Sequence, residues 1–436
     1  MRIAIVGDLQ YEKDESLDTV AAEIAALHPD HTILVGDYGC WNIFGSYEAF
    51  HRVAAAFERA GIPRPLALVG NHDVQYESGD RQMKSGTVAA NYARAFGGPP
   101  RNTVLEFDAF RVICVHVEPQ PRDDFYFEYE CYVSPDSLRW LTTELEREPE
   151  KPTVLITHAP PMGCGLLTVP TVHVRAANAY LNQDHGIEVW PTLARRYRQI
   201  ALWFSGHYHM GHHHPDSQAL TDGIAYFTVG AATSCSRDGQ RHTRILDEEK
   251  GQLTVRTYNH DTGRIEEPAD YVRPAGAMRP PYAPAPLTGV FTAGCGRVVE
   301  NGLKPGANGR VYAMTDNGFL WEIDWKNRVA LGTLHYSDRY TLDGFETDDS
   351  YVWRLCGDRA FGHRYTDVNR FMREKDWAYC QYSERPRREV AETESALRWR
   401  GRVACCLEGG RICSAYNDAD GRLLFEIANE ESKEIR

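Results

Sequence analysis

Five short stretches of this 436-residue chain carry side chains that bind metal ions or move protons. In order they are Gly7-Asp8-Leu9-Gln10, Gly36-Asp37-Tyr38-Gly39, Gly70-Asn71-His72-Asp73, Thr157-His158-Ala159-Pro160 and Gly206-His207-Tyr208-His209. Carboxylates, imidazoles and an amide oxygen are donors for Mn, Fe, Zn and similar ions. A shared carboxylate can hold two such ions about 4 Å apart, and a hydroxide between them can attack phosphorus in line. Any single Gly-Asp or Gly-His pair is ordinary turn chemistry. The weight lies in finding five of them in order, each closing an apolar run.

Those apolar runs read as the strands that must position the motifs. Ile3 to Val6, Thr32 to Val35, Leu66 to Val69, Val154 to Thr157 and Ala201 to Ser205 each end where a motif begins. Open α/β sheets place their sites at the C-terminal ends of such strands. Glycine before the polar residue permits a tight turn and close backbone approach. Helices are expected between the strands. Leu17, Val20, Ile24 and Leu27 share a helical face, and Ser46 caps a helix carrying Phe50, Val53 and Phe57. Ser134-Pro135 opens another, with Leu138, Leu141 and Leu145 inward. Thr103 to Phe107 pairs with Arg111 to Val117, and Ile224 to Val229 and Leu253 to Tyr258 are the last strands of this part. The expected fold is a layered α/β domain over residues 1–265.

The five-motif order resembles the calcineurin-like metallophosphoesterase superfamily over roughly residues 1–260. The resemblance implies an αββα fold and a two-metal phosphoesterase. It implies that Asp8 and His209 bind the first metal and that Asp37 bridges both. Asn71, His158 and His207 then bind the second. His72 is implied to stabilise a phosphoryl oxygen or protonate the leaving oxygen, with Asp73 orienting its ring. The first motif of the family usually ends in histidine, where this chain has Gln10. An amide oxygen is a harder, weaker ligand than imidazole and favours Mn or Mg over Zn. Mn is therefore the expected metal, with Fe, Zn, Mg or Ca as alternatives. The Asp-x-Gln opening followed by Tyr11 also resembles the manganese-dependent ADP-ribose/CDP-alcohol diphosphatases. That resemblance favours a phosphodiester or a nucleoside diphosphate-type small molecule, with a phosphomonoester as the alternative.

Between the fourth and fifth motifs, Arg175 and His173 are the candidates for holding substrate phosphate, Arg175 because guanidinium grips phosphate as a fork. His212-His213-His214 reads as a solvated loop, and His116, inside an apolar strand, as a satisfied core histidine. The net charge of −13 disfavours DNA and RNA as partners, and with them a nuclease. No stretch approaches the roughly 18 apolar residues of a membrane span. The eleven cysteines lack C-x-x-C spacing, and Met1-Arg2 runs directly into a strand, so reduced thiols in the cytoplasm are expected.

Six prolines between Pro268 and Pro286 mark residues 266–288 as a linker. Residues 289–436 read as a second, mainly β domain, with hairpins at 311–323 and 411–427. Blade-like sheets, a sandwich and a partial barrel are all compatible with that pattern. The region could cap the site, bind a partner or form a homo-oligomer. A metal-binding scaffold that acts through this region is the non-enzymatic alternative.

Overall fold

The computed structural model describes residues 1–10, 14–40, 43–62, 64–77, 87–120, 129–166, 178–183, 185, 189–214, 217–281, 289–293, 296–326, 328–335, 341–365, 382–393, 397–419 and 423–429. Tyr11, His173 and Arg175 lie outside the described residues. The chain divides into two compact units. One comprises Met1–Thr168, Tyr180–Asn182 and Leu193–Tyr282, and the other Val169–Ala179, Gln183–Thr192 and Ala283–Arg436.

In chain order the first elements are β1 (Arg2–Val6), α1 (Asp14–Ala26), β2 (His31–Leu34), α2 (Tyr47–Arg59), β3 (Leu66–Ala67), α3 (Asn71–Val74) and α4 (Val88–Phe96). Next come β4 (Thr103–Glu106), β5 (Arg111–Val115), α5 (Pro135–Arg147), β6 (Thr153–Thr157), α6 (Val189–Arg196), β7 (Ile200–Ser205), β8 (Gln218–Thr221) and β9 (Ile224–Thr228). Then follow β10 (His242–Glu249), β11 (Gln252–Asn259), β12 (Arg264–Ile265) and β13 (Tyr271–Pro274). The helix starts are chemical. Ser46 Oγ accepts the Ala49 amide ahead of α2, and Ser134 Oγ accepts the Ser137 amide ahead of α5, whose first turn carries proline.

Among the described residues these strands make two sheets. One has the order β12-β11-β10-β1-β2-β3, with β13 added to β11, and the other the order β4-β5-β6-β7-β9-β8. β1, β2 and β3 run parallel, as do β5, β6, β7 and β9. Their C-terminal ends therefore gather the motifs that follow them. The sheets share one core. Ile3, Ile5, Ile33 and Val35 from the first meet Val112, Val154, Ile156, Leu202 and Phe204 from the second. The intervening residues Ala4, Val6, Leu34 and Leu155 are also fully buried. Both faces of these strands are thus covered, as parallel strands require. β10 and β13 were not expected. β10 inserts between β1 and β11, and β13 lies within the proline-rich stretch read as a linker. Proline at the end of β13 suits an edge strand, which needs no inner ladder donor.

The second unit contains β14 (Gly289–Ala293), β15 (Val298–Pro305), β16 (Val311–Thr315), β17 (Leu320–Asp324), β18 (Val329–His335), β19 (Gly344–Thr347) and β20 (Tyr351–Cys356). It continues with β21 (Arg359–Arg364), β22 (Tyr382–Pro386), β23 (Leu397–Trp399), β24 (Arg402–Leu407), β25 (Arg411–Asn417) and β26 (Leu423–Asn429). The two expected hairpins are β16-β17 and β25-β26. Among the described residues there are three blade-like antiparallel sheets: β15-β16-β17-β18, β19-β20-β21-β22 and β14-β26-β25-β24-β23. The third is completed by β14, from the start of the region, pairing with β26 from its end. One apolar cluster joins the first and third sheets through Val311, Ile323, Cys413 and Phe425. Another joins the first and second through Leu320, Phe345 and Val352.

Candidate metal centre

Every described motif residue sits just past a strand of the first unit. Asp8 follows β1, Asp37 follows β2 and Asn71 opens α3 after β3, all from the first sheet. His158 follows β6, and His207 and His209 follow β7, from the second. Asp8, Asp37, Asn71 and His158 are fully buried, and His207 and His209 nearly so.

The backbone that presents them is unusual. Asp37, His207 and His209 have φ of 58°, 68° and 52°. Non-glycine residues are rarely held in this left-handed region, and such strain collects at functional sites. Gly206 is required for a different reason. A Cβ there would lie 2.6 Å from Asp8 Oδ2, so a larger residue would push on the carboxylate.

The two strand-end histidines are oriented alike. His158 donates Nδ1–H to Val35 O at 2.7 Å, and His209 donates Nδ1–H to Cys235 O at 3.2 Å. Each then turns Nε2 toward a carboxylate, His158 to Asp37 Oδ2 at 3.3 Å and His209 to Asp8 Oδ1 at 3.2 Å. A backbone acceptor on one ring nitrogen is how metal-binding histidines are commonly oriented. His158 Nε2 also faces Asn71 Oδ1 at 2.9 Å, and the Asn71 amide is fixed that way because Nδ2 donates to Tyr129 O at 2.9 Å. Three acceptor atoms thus converge: His158 Nε2, Asn71 Oδ1 and Asp37 Oδ2. Only a proton or a cation among them makes the arrangement favourable.

The electrostatics agree. Burial alone would raise the Asp37 pKa, but His158 and His72 hold it well below the usual carboxylate range. Asp8 is likewise lowered against its burial, chiefly by His209. Burial works against a charged His158, yet Asp37 raises it to about 9. His209 is pushed well above its ordinary value against burial by Asp8. Two buried carboxylates are each balanced by an imidazolium, where divalent cations could replace the protons. Asp8, Asp37 and His158 offer ligand atoms all within 4.8 Å of one another, so the donor set fits such ions.

His207 is tied in by its backbone, whose N–H donates to Asp8 Oδ2 at 2.9 Å. Its ring lies 5.2 Å from that of His158, and Cys131 Sγ lies 3.9 Å from His207 Nδ1. Gln10 reaches the cluster by its amide nitrogen, which donates to Asp37 Oδ2 at 3.3 Å.

The role expected of Asp73 changes. Its oxygens accept backbone N–H groups instead, from Asp37 and Gly70 at Oδ2 and from Tyr38 at Oδ1, each at 2.9 Å. Asp73 thereby ties the turn carrying Asp37 to the turn carrying Asn71. The His72 ring is oriented by Gln75, with Nδ1 donating to Oε1 at 2.6 Å, and by Phe44, stacked at 4.7 Å. Burial lowers the His72 pKa, partly opposed by Asp37. Sequence reasoning missed Gln75, Cys131 and Cys235. Gln75 lies one turn past His72, where its reach was open to a spacing argument. Cys131 and Cys235 arrive from distant loops with no local signal.

His116 is satisfied as expected, with Nδ1 accepting the Val69 amide at 3.1 Å and Nε2–H donating to Arg101 O at 2.9 Å. His212 corrects the solvated-loop expectation, whereas His213 is exposed in keeping with it. His212 is buried between Thr257 Oγ1 and Val229 O, both within 2.9 Å. His213 pairs with Glu266 at 2.7 Å and, with His242, forms another trio of ligand-type groups. That trio makes a poor metal centre. His242 Nδ1 accepts the His212 amide at 2.8 Å, so a neutral ring keeps its proton on Nε2.

Residues 1–211 match the model of the family described as calcineurin-like phosphoesterase. A hypothetical protein from Thermus thermophilus is similar in structure, with 14% identity and a TM-score of 0.34, covering 64% of this chain and 100% of its own. A predicted phosphoesterase from Streptococcus pneumoniae has 10% identity and a TM-score of 0.27, with coverage of 60% and 90%. Vps29 from Chaetomium thermophilum has 13% identity and a TM-score of 0.29, with coverage of 64% and 98%. A comparison with curated proteins finds no match. The matched span holds every ligand-type residue from Asp8 to His209. This part of the chain thus matches the calcineurin-like phosphoesterase family, and the groups of Asp8, Asp37 and His158 within it could hold a metal ion.

Proposed function

We propose, for a chain whose residues 1–211 match the calcineurin-like phosphoesterase family, hydrolysis of a small phosphodiester or nucleoside diphosphate-type substrate at two divalent cations, manganese favoured. The observation that carries the metal reading is the convergence of His158 Nε2, Asn71 Oδ1 and Asp37 Oδ2. Asp8 and His209 would hold one ion, Asn71, His158 and His207 the other, and Asp37 would contribute to both. Such ions would supply Lewis acidity and an activated water.

The chain's own groups do the rest. Val35 O and Cys235 O fix which nitrogen of His158 and His209 faces the ions. Gln10 steadies the Asp37 carboxylate from the open side. Gln75 holds the His72 proton on Nδ1, which leaves Nε2 as the atom that exchanges a proton with the leaving oxygen. Asp73 keeps both turns in register without touching substrate.

The acidic net charge of −13 supports a small-molecule substrate over nucleic acid. Cytoplasmic residence is part of the proposal, supported by free thiols among the described cysteines, such as Cys114, Cys131, Cys164 and Cys413. Among the described residues no helix is long and apolar enough to cross a membrane. A homo-oligomer through the β-rich unit is proposed from its sequence alone.

The test loads purified protein with Mn²⁺ and compares initial rates on bis-p-nitrophenyl phosphate, p-nitrophenyl phosphate and ADP-ribose. Asp37→Asn is expected to lower kcat at least about 10³-fold, by removing the carboxylate both ions share. Turnover surviving in Asp37→Asn sinks the mechanism. A preference for p-nitrophenyl phosphate replaces the diester reading with a monoesterase.

A further inference from the structure

The loop between β9 and β10 is bound to the metal centre at several points. Cys235 O accepts His209 Nδ1–H at 3.2 Å, and Cys235 Sγ lies 3.4 Å from Asp8 O. The Arg237 backbone N–H donates to His209 O at 2.8 Å. Beyond it Asp238 turns the loop, accepting the Gly211 amide at 2.9 Å, the Ser236 hydroxyl at 2.9 Å and the Gln240 amide at 3.2 Å. The Ser236 hydroxyl also lies 2.7 Å from Gln240 O. Arg237 therefore has a fixed backbone position beside a metal ligand.

Its side chain is different from its neighbours'. Arg241 pairs with Asp261 at 2.8 Å, and buried Arg244 is bound by Thr228 O, Thr257 and Asp270. Arg279 is saturated by carbonyls of Ile200, Asp222, Ala194 and Tyr197. Arg237 is exposed, and among the described residues its guanidinium has no carboxylate or carbonyl partner. Asp238, the nearest acid in sequence, is already occupied by the loop. The guanidinium nevertheless lies in the field of Asp8 and Asp37. Two bound dications would neutralise those carboxylates and leave Arg237 as an unpaired cation at the rim of the centre.

We propose that Arg237 is a substrate-binding residue that takes the non-reacting phosphate of a diphosphate-type substrate. The inference rests on the phosphoesterase reading and deepens it. The reacting phosphoryl group is already met by the ions and His72. A second anionic group, one bridging oxygen away, suits a planar fork of donors anchored beside His209. A neutral ester arm offers that fork nothing.

The experiment uses the full-length Mn²⁺-loaded protein with Arg237→Ala and Arg237→Lys, and Arg241→Ala as a control for bulk charge. Calorimetry measures binding of inorganic pyrophosphate and of inorganic phosphate, and metal content is determined for each variant. Arg237→Ala is expected to weaken pyrophosphate binding about 10- to 100-fold, and phosphate binding by less than about threefold. Arg237→Lys should recover part of the loss, because a point charge keeps attraction but not the fork. Arg241→Ala should change neither. On turnover, Arg237→Ala should depress kcat/KM for ADP-ribose at least about tenfold more than for bis-p-nitrophenyl phosphate. Equal losses with both anions, or no loss, overturn the role of Arg237. Binding is read without turnover. A protein that binds pyrophosphate through Arg237 but hydrolyses nothing fails the phosphoesterase reading while upholding this one.

Discussion

The two units bury charge in opposite ways. In the β-rich unit the buried acids are already answered. Glu346 receives the Lys304 ammonium at 2.6 Å, the Thr393 amide at 2.8 Å and the Thr393 hydroxyl at 2.9 Å. Arg310 pairs with both Glu322 and Asp324, two residues apart on β17. In the first unit Asp8 and Asp37 face imidazoles and an amide oxygen instead. Those groups balance a carboxylate only by gaining a proton, or by sharing a cation. The first arrangement closes on itself and holds the sheets together. The second is left open for a ligand and is held in place by strained backbone at Asp37, His207 and His209.

The comparison is broken most severely on the closed side. Glu346→Ala leaves Lys304 buried without its acid and should destabilise the chain by about 3–5 kcal/mol. Chemical denaturation would read this directly, while Mn²⁺ content should stay as in wild type. Loss of metal in that variant would mean the two kinds of buried charge are not separate in function.

His116 sharpens the comparison from inside the first unit, because it is a closed histidine. Burial lowers its pKa to about 4, against about 6.5 when unfolded. The folded state therefore favours the neutral ring. Its stability contribution is full above pH 6.5 and falls as pH drops toward 4, by about 3 kcal/mol in all. Stability measured from pH 7 to 4 should fall with this slope in wild type and more shallowly in His116→Gln. Parallel curves would remove His116 from the acid limb.

The smallest expected effect is at the open site. Gly206→Ala places a methyl group against Asp8 and should weaken Mn²⁺ affinity about 10- to 100-fold. Titration with metal checks it, and wild-type affinity would show that the carboxylate can move aside.

The open site was far more legible in the sequence than the closed one. A strand that stops at Gly7-Asp8 or Gly206-His207 announces both the turn and the ligand, because each needs only a few adjacent residues. The orientation of those ligands was not announced. It depends on Val35 O, Cys235 O and Tyr129 O, which meet the site only after folding. Asp73 shows the same gap. Its neighbour in sequence suggested a partner for His72, whereas three backbone amides claim it. β10 escaped reading because buried Thr243 and Arg244 break its apolar pattern, and Arg244 becomes acceptable inside only through Thr228, Thr257 and Asp270. In the second unit the hairpins were visible from local alternation. The β14-β26 pairing was not, since its two strands lie at opposite ends of the region.

The central claim is that the converging acceptors hold two cations in place of protons. Calorimetric titration of metal-free protein with Mn²⁺ near pH 7, repeated in buffers of different ionisation enthalpy, tests it most directly. The account predicts two ions per chain, with protons released to buffer on binding, and loss of at least one ion in Asp37→Asn. Binding of no ion, or two ions held equally well by Asp37→Asn with no proton release, would contradict it.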